Sequence, residues 1–237
     1  MKEAVVSGGR WRTLLRAVVV CAAVGLVVGA VAPGVASARE AGSGSPRVVA
    51  GVPLRDAVVA LPVAEESREG YSRDKFKHWV DADGNGCSTR AEVLLVEAVD
   101  APVRTGRCTL AGGRWYSSYD DVYVDGPSGL DIDHMVPLAE AWDSGAHEWT
   151  PQRRENYAND LDEPLALIAV TATTNRSKGD QDPQSWLPPY APAHCGYLLA
   201  WVTTKVRWGL SVDQAERDRL VDLAAGCPNV PVTATIV

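Results

Sequence analysis

The sequence has no second long apolar run, no surplus of basic residues, no C-x-x-C pair and no internal repeat. Each absence narrows what the chain can be. Beyond Val31 nothing is apolar for long enough to span a bilayer, so the product is expected to be soluble. Lys and Arg together number 23 against 30 Asp and Glu, a formal net charge of −7. That balance counts against a simple polyanion binder, because phosphate affinity comes largely from Lys and Arg. The missing C-x-x-C spacing disfavours a thiolate zinc site.

What is present begins with an export signal. Lys2, Arg10, Arg12 and Arg16 make a basic start, and Ala17 to Val31 is an apolar run of 15 residues. That length is at the upper end for a signal h-region and short for a membrane span. Ala36-Ser37-Ala38 supplies an A-x-A cleavage site, so residues 1–38 are expected to be a signal peptide and the mature chain to start at Arg39. The alternative is an uncleaved N-terminal anchor. Cys21 sits inside the apolar run without the small residues of a lipoprotein site, and Arg10-Trp11-Arg12 is not a twin-arginine pair. The expectation is Sec export to the extracellular space, with no stable membrane association after cleavage and no protein partner. Removing 38 of 237 residues leaves 199, enough for one well-packed domain or one domain with an elaboration. The leader takes four basic residues and one acidic residue with it, which moves the net charge to −10.

Four cysteines remain, Cys87, Cys108, Cys195 and Cys227. An even count in an exported chain reads as two disulfides. Three pairings are open; Cys87–Cys108 with Cys195–Cys227 is favoured because each closes a short local loop. Free thiols are the competing reading.

Residues 39–52 carry Ala41-Gly42-Ser43-Gly44-Ser45-Pro46 and read as a flexible leader. Residues 53–112 read as a helical N-terminal elaboration. Leu54, Val58 and Val59 give a short element ended at Leu61-Pro62; Phe76, Trp79 and Val80 fit one helical face running into Asp81; Val93, Leu94, Val96 and Val99 fit a helix after Glu92. Trp115 to Tyr123 is aromatic and β-like, and Gly126-Pro127-Ser128-Gly129 is a turn signal. Thr150-Pro151 opens a helix to about Leu161, and Leu165 to Val170 fits a buried strand. Thr173 or Thr174 caps a helix with Asn175 and Lys178. An apolar stripe from Tyr197 to Trp208 marks another helix, and Ser211-Val212-Asp213-Gln214 reads as a capping box for the last one, stopped at Gly226-Cys227-Pro228. Residues 228–237 read as a tail.

The strongest chemical signal is Leu130-Asp131-Ile132-Asp133-His134-Met135-Val136-Pro137-Leu138. An Asp directly before a His at a strand end sends the two side chains to opposite sides of the backbone. One can bind a metal while the other faces substrate. Some forty residues later, Asn175-Arg176-Ser177-Lys178-Gly179-Asp180 opens a helix whose Asn can offer its amide oxygen to the same hard cation. Phosphodiester hydrolysis needs a nucleophilic water, a base and a cation to stabilise developing charge. His134 suits the base, its unperturbed pKa being about 6.5. Arg176 and Lys178 lie close enough in sequence to hold flanking phosphates, and Arg154 on the preceding helix is a further candidate.

Residues 115–220 resemble the secreted actinobacterial HNH endonucleases, a family related to the nuclease domain of GmrSD-type modification-dependent restriction enzymes. The matching runs are Asp131 to Leu138, Ala141-Trp142-Asp143-Ser144-Gly145-Ala146, Tyr157-Ala158-Asn159-Asp160-Leu161, Leu167 to Val170, Asn175 to Asp180, and Asp182-Pro183 with Trp186. The HNH domain of RNA-guided Cas nucleases has a similar Asp-His and Asn-Arg-x-Lys pair. The resemblance implies Asp133 and Asn175 as ligands of one Mg2+ or Mn2+ ion and His134 as general base. It also implies a ββα-metal finger. One position departs. Many HNH enzymes have an Asn before the second strand to orient the His, and here that position is Ala166. Either another residue, Asn159 or Asp160, takes that role, or a backbone carbonyl does.

A second cation site is expected at residues 81–92. Asp81-Ala82-Asp83-Gly84-Asn85-Gly86-Cys87-Ser88-Thr89-Arg90-Ala91-Glu92 matches the EF-hand loop D-x-[DN]-x-[DN]-G-x5-E. Asp81, Asp83 and Asn85 would supply side-chain oxygens, Cys87 its carbonyl and Glu92 a bidentate carboxylate to Ca2+. Helices are expected on both sides. The competing reading is a disulfide-pinned polar turn of the same shape.

The expected fold is therefore α+β: an HNH finger within residues 113–227, embedded in a mainly helical domain with two disulfides. The expected activity is hydrolysis of DNA, with RNA also open, and little sequence preference. The competing function is a secreted Ca2+-binding structural or adhesion module with an inactive finger.

Overall fold

The computed structural model describes residues 47–237; the expected signal peptide and residues 39–46 lie outside the described residues. The first element, β1 (Val48–Pro53), pairs antiparallel with the last, β8 (Pro231–Thr235), through Val49 opposite Ala234 and Val52 opposite Val232. This corrects two expectations: residues 48–52 of the expected flexible leader and residues 231–235 of the expected C-terminal tail form a strand pair. Two short strands from opposite ends of the chain carry no local sign that they will meet.

Helix α1 (Leu54–Ala60) buries Leu54, Ala57 and Val58. Helix α2 (Thr89–Glu97) starts at Ser88, whose hydroxyl accepts from the Ala91 amide. The helix expected over Phe76 to Asp81 does not form. A single 3-10 turn spans Arg73–Lys75, and Trp79 adopts φ 60°, a left-handed conformation closed to a continuing helix. The apolar spacing misled because these side chains serve different surfaces: Phe76 is fully buried in the main core, while Trp79 turns away to stack on His134.

Two small hairpins follow, β2 (Val103–Thr105) with β3 (Thr109–Ala111) and β4 (Arg114–Ser117) with β5 (Val122–Asp125). Strand β6 (Leu130–His134) then pairs antiparallel with β7 (Leu167–Thr171), with Asp133 opposite Ile168 and His134 opposite Leu167. Between them lie α3 (Leu138–Asp143) and α4 (Pro151–Ala158), the latter capped by the Thr150 hydroxyl with proline at its first position. Strand β7 runs directly into α5 (Ala172–Lys178), which packs on both β6 and β7.

Two long helices close the fold. Helix α6 (His194–Trp208) ends at Gly209, φ 66°, a left-handed C-cap suited to glycine. Helix α7 (Gln214–Ala225) is capped by Asp213, which accepts from the Glu216 amide at 2.7 Å; the expected cap at Ser211 is displaced by two residues. Trp201, Leu198 and Val202 of α6 anchor the larger core, which includes Leu54, Val58, Val136, Leu138, Val170 and Leu220. A smaller core joins Val93, Leu94 and Trp115 to Leu130, Ile132, Leu167 and Ala169. The β6–β7 pair thus separates the two cores, with alternating residues committed to each.

Both disulfides pair as favoured, Cys87 with Cys108 and Cys195 with Cys227. The second ties the start of α6 to the end of α7. The described residues, 47–237, belong to one compact unit. Among the described residues no helix is long and apolar enough to cross a membrane.

Candidate active site

A cavity of about 310 Å3 opens where the end of β6 meets α5. Its walls include Asp133, His134, Asn175, Arg176 and Arg73. Alternation along β6 sends Asp133 and His134 to opposite faces. Asp133 lies among Tyr119, Lys178 and Met135; His134 lies among Trp79, His78 and the end of α4.

Asp133 is 4% exposed. Its Oδ2 accepts from the Tyr119 hydroxyl at 2.6 Å and from the Lys178 ammonium at 2.5 Å. Its Oδ1 takes no hydrogen bond from any described residue. Burial pushes this carboxyl above its ordinary range, while the Lys178 charge and the two hydrogen bonds pull it back. The result is a carboxylate clamped on one oxygen. The Asn175 side chain, half-buried on the same wall, likewise has no hydrogen-bond partner among the described residues.

His134 is 6% exposed. Its Nε2 lies 3.0 Å from the carbonyl of Ala158. A carbonyl only accepts, so Nε2 carries the proton and Nδ1 keeps the lone pair. The Trp79 ring stacks on the imidazole at 5.2 Å and 28°. Burial pushes the His134 pKa down to about 3; the Ala158 bond opposes this and the nearby Arg73 adds to it. The imidazole is therefore neutral at physiological pH.

The question left by Ala166 is answered by a backbone carbonyl, that of Ala158. Neither the Asn159 nor the Asp160 side chain hydrogen-bonds to His134. The Asn159 side-chain Oδ1 accepts from the Val80 amide (3.0 Å) and the Thr89 hydroxyl (2.8 Å), and its Nδ2 donates to the Lys77 carbonyl (2.8 Å). It thereby holds the segment that carries Trp79. Asp160 is paired with Arg207 and the Trp208 indole.

Two expected phosphate contacts are corrected. Lys178 is fully buried. Its ammonium donates to Asp133, to the Met135 carbonyl (2.7 Å) and to the His134 carbonyl (3.2 Å), beside the Tyr119, Tyr197 and Trp201 rings. With all three donors used, it cannot reach a substrate phosphate. Arg154 is also buried, donating to the carbonyls of Lys75, Ala146 and Trp149 beneath the Trp142 ring. Arg176 does line the cavity, with its guanidinium 3.2 Å from Asp131. Three residues that were not among the expected site residues line it or hold its groups: Arg73, Trp79 and Tyr119. The run Tyr116-Ser117-Ser118-Tyr119 read only as a strand, and nothing local tied Tyr119 to Asp133.

In the EF-hand-like loop the outgoing helix α2 is present and the incoming helix is not. The loop closes on itself. Asn85 donates to Asp83 (2.8 Å) and Glu92 (2.7 Å), the Gly86 amide donates to Asp81 (3.0 Å), and the Cys87 amide donates to Asn85 (2.8 Å). Elsewhere, Glu66, Glu140 and Glu216 bring carboxylate oxygens within 4.8 Å of one another. The Lys205 ammonium lies among them, 2.9 Å from Glu140 and 2.7 Å from Glu216, and supplies the counter-charge.

Residues 97–223 match the family described as GmrSD restriction endonucleases, C-terminal domain. A protein of Arthroderma benhamiae, described as an uncharacterized secreted protein, is 44% identical over 160 residues, covering 68% of this chain and 77% of that one. No solved structure matches the chain.

Proposed function

This chain belongs to the family of GmrSD restriction endonuclease C-terminal domains, and from that premise we propose that it is an exported, metal-dependent endonuclease of the HNH type, hydrolysing DNA phosphodiester bonds. The observation that carries the reading is one cavity walled by three complementary groups: a carboxylate with one oxygen uncommitted, an uncommitted amide, and a neutral imidazole with its tautomer fixed. The two antiparallel strands leading into a helix suit an HNH finger. The description of the fungal relative and the export signal at residues 1–38 support secretion.

The donor set fits a hard divalent cation such as Mg2+ or Mn2+. Asp133 Oδ1 and the Asn175 side-chain oxygen would hold it, with water completing the shell as Mg2+ prefers. When bound, such an ion supplies charge stabilisation at the phosphate and the leaving oxygen. The remaining steps belong to the protein. His134 Nδ1 accepts the proton of the attacking water as its oxygen bonds to phosphorus and the ester oxygen departs. The Ala158 carbonyl holds Nε2–H so that Nδ1 alone can serve. An approaching phosphate raises the depressed pKa of the imidazole, which strengthens the base when substrate is in place. Tyr119 and Lys178 are positioning residues that fix Asp133.

Contacts to phosphate are common to all sequences, so this site favours cleavage with little sequence preference. Attack by water needs no 2′-hydroxyl, so RNA is an additional substrate. Asp133→Asn and Asn175→Ala should each lower cleavage of plasmid DNA at fixed Mg2+ and raise the metal concentration needed for half-maximal rate. Unchanged metal dependence in both would remove the ligand assignment.

A further inference from the structure

We propose that the segment before the family-matched region completes the active site, with Arg73 as a phosphate-binding residue for the nucleic-acid substrate. This deepens the nuclease reading above and rests on it.

Four observations carry the inference. Arg73 lines the same cavity as Asp133, His134 and Asn175, yet lies 24 residues before the matched region begins at residue 97. Its guanidinium has no hydrogen-bond or ion-pair partner among the described residues, whereas Arg68 is held by Asp143, Arg176 by Asp131 and Arg207 by Asp160. In a chain of net charge −7, an uncommitted cation on the wall of a phosphate-cleaving cavity suits a polyanion. Fourth, the backbone that carries it is fixed. Phe76 is fully buried against Trp142 and Tyr157, its amide donates to the Arg73 carbonyl at 3.0 Å, and Arg154 and Asn159 hold the carbonyls of Lys75 and Lys77. The buried Arg154 therefore serves the substrate indirectly, by fixing the turn that presents Arg73. An exposed arginine on a fixed turn is a preorganised anion contact that loses little freedom on binding.

The test uses the full mature chain with Arg73→Ala and Arg73→Lys, and His134→Ala as a separate control. Arg73→Ala should keep the wild-type melting temperature, because its side chain is exposed and unpartnered. Its kcat/KM on duplex DNA should fall by about tenfold or more, with partial recovery in Arg73→Lys. In the His134→Ala background with Mg2+, adding Arg73→Ala should weaken binding of a fluorescent DNA duplex. It should also make the slope of log affinity against log salt shallower by about 0.9, the loss of one phosphate contact. If Arg73→Ala cuts and binds like its parent while His134→Ala is dead, the Arg73 assignment is wrong and the nuclease reading stands. If wild type cuts nothing, the nuclease reading fails, and the binding arm still decides whether Arg73 holds phosphate.

Discussion

Replacing Lys178 with methionine separates a structural role from a substrate-binding one. Methionine keeps much of the apolar stem and removes the charge. The carboxylate of Asp133, 4% exposed, would then keep only the Tyr119 hydroxyl, and the Met135 carbonyl would lose its donor. Breaking a buried ion pair by deleting one partner costs about 3–5 kcal/mol. The lower end applies, because Asp133 Oδ1 belongs to the cavity side and burial already pushes this carboxyl towards its neutral form. With a domain of this size losing roughly 2–4 °C per kcal/mol, Tm should drop by about 6–12 °C. Adding Asp133→Asn to Lys178→Met should recover part of that loss, since it removes the stranded charge. Thermal melts by circular dichroism in EDTA read this directly. A Lys178→Met protein that melts within about 2 °C of wild type, yet binds DNA with a shallower salt dependence, would refute the buried role and return Lys178 to the substrate.

Two further groups make stability depend on pH with opposite signs. Burial pushes Glu216 up from 4.5 to about 8, so the folded state holds a proton that the unfolded state releases. Its contribution is complete below about pH 4.5 and is lost as pH rises towards 8. Glu216→Gln should flatten the decline in urea-denaturation free energy between about pH 4.5 and 8, and an unchanged slope there would count against it. His134 is pushed down from 6.5 to about 3, so the unfolded chain takes up a proton that the folded chain refuses, and stability falls as pH drops through that window. His134→Ala should remove that acid-side slope. At residues 81–92, Ca2+ should raise the Tm of wild type and leave Asp81→Ala unmoved; equal responses in both proteins would remove the calcium expectation.

The cavity-lining trio of Asp133, His134 and Asn175 was legible because each of its two motifs is short and self-contained. Asp133-His134 ends one strand and Asn175 lies on the helix that runs straight out of that strand's partner, so the pairing of β6 with β7 brings the two motifs together. The disulfide pairs were legible for the same reason, each closing a short loop. What the sequence hid depends on contacts between distant segments. The β1–β8 pair joins the two ends of the described chain. Lys178 reads as a cation for phosphate until three aromatic rings and two backbone carbonyls enclose it. The apparent gap at Ala166 was filled by the Ala158 carbonyl, which every residue possesses and no sequence pattern can mark. Trp79 fitted a helical face, yet its left-handed backbone and its stack on His134 follow from Asn159 holding the segment on both sides.

The most direct test of the central claim compares purified wild type with His134→Ala on supercoiled plasmid DNA, each with Mg2+, with Mn2+ and with EDTA. Wild type should nick and linearise the plasmid with either metal and leave it intact in EDTA, and His134→Ala should cut at least about a hundredfold more slowly, the usual range for loss of a general base. Equal rates for the two proteins, or plasmid left intact by wild type in both metals, would contradict that claim.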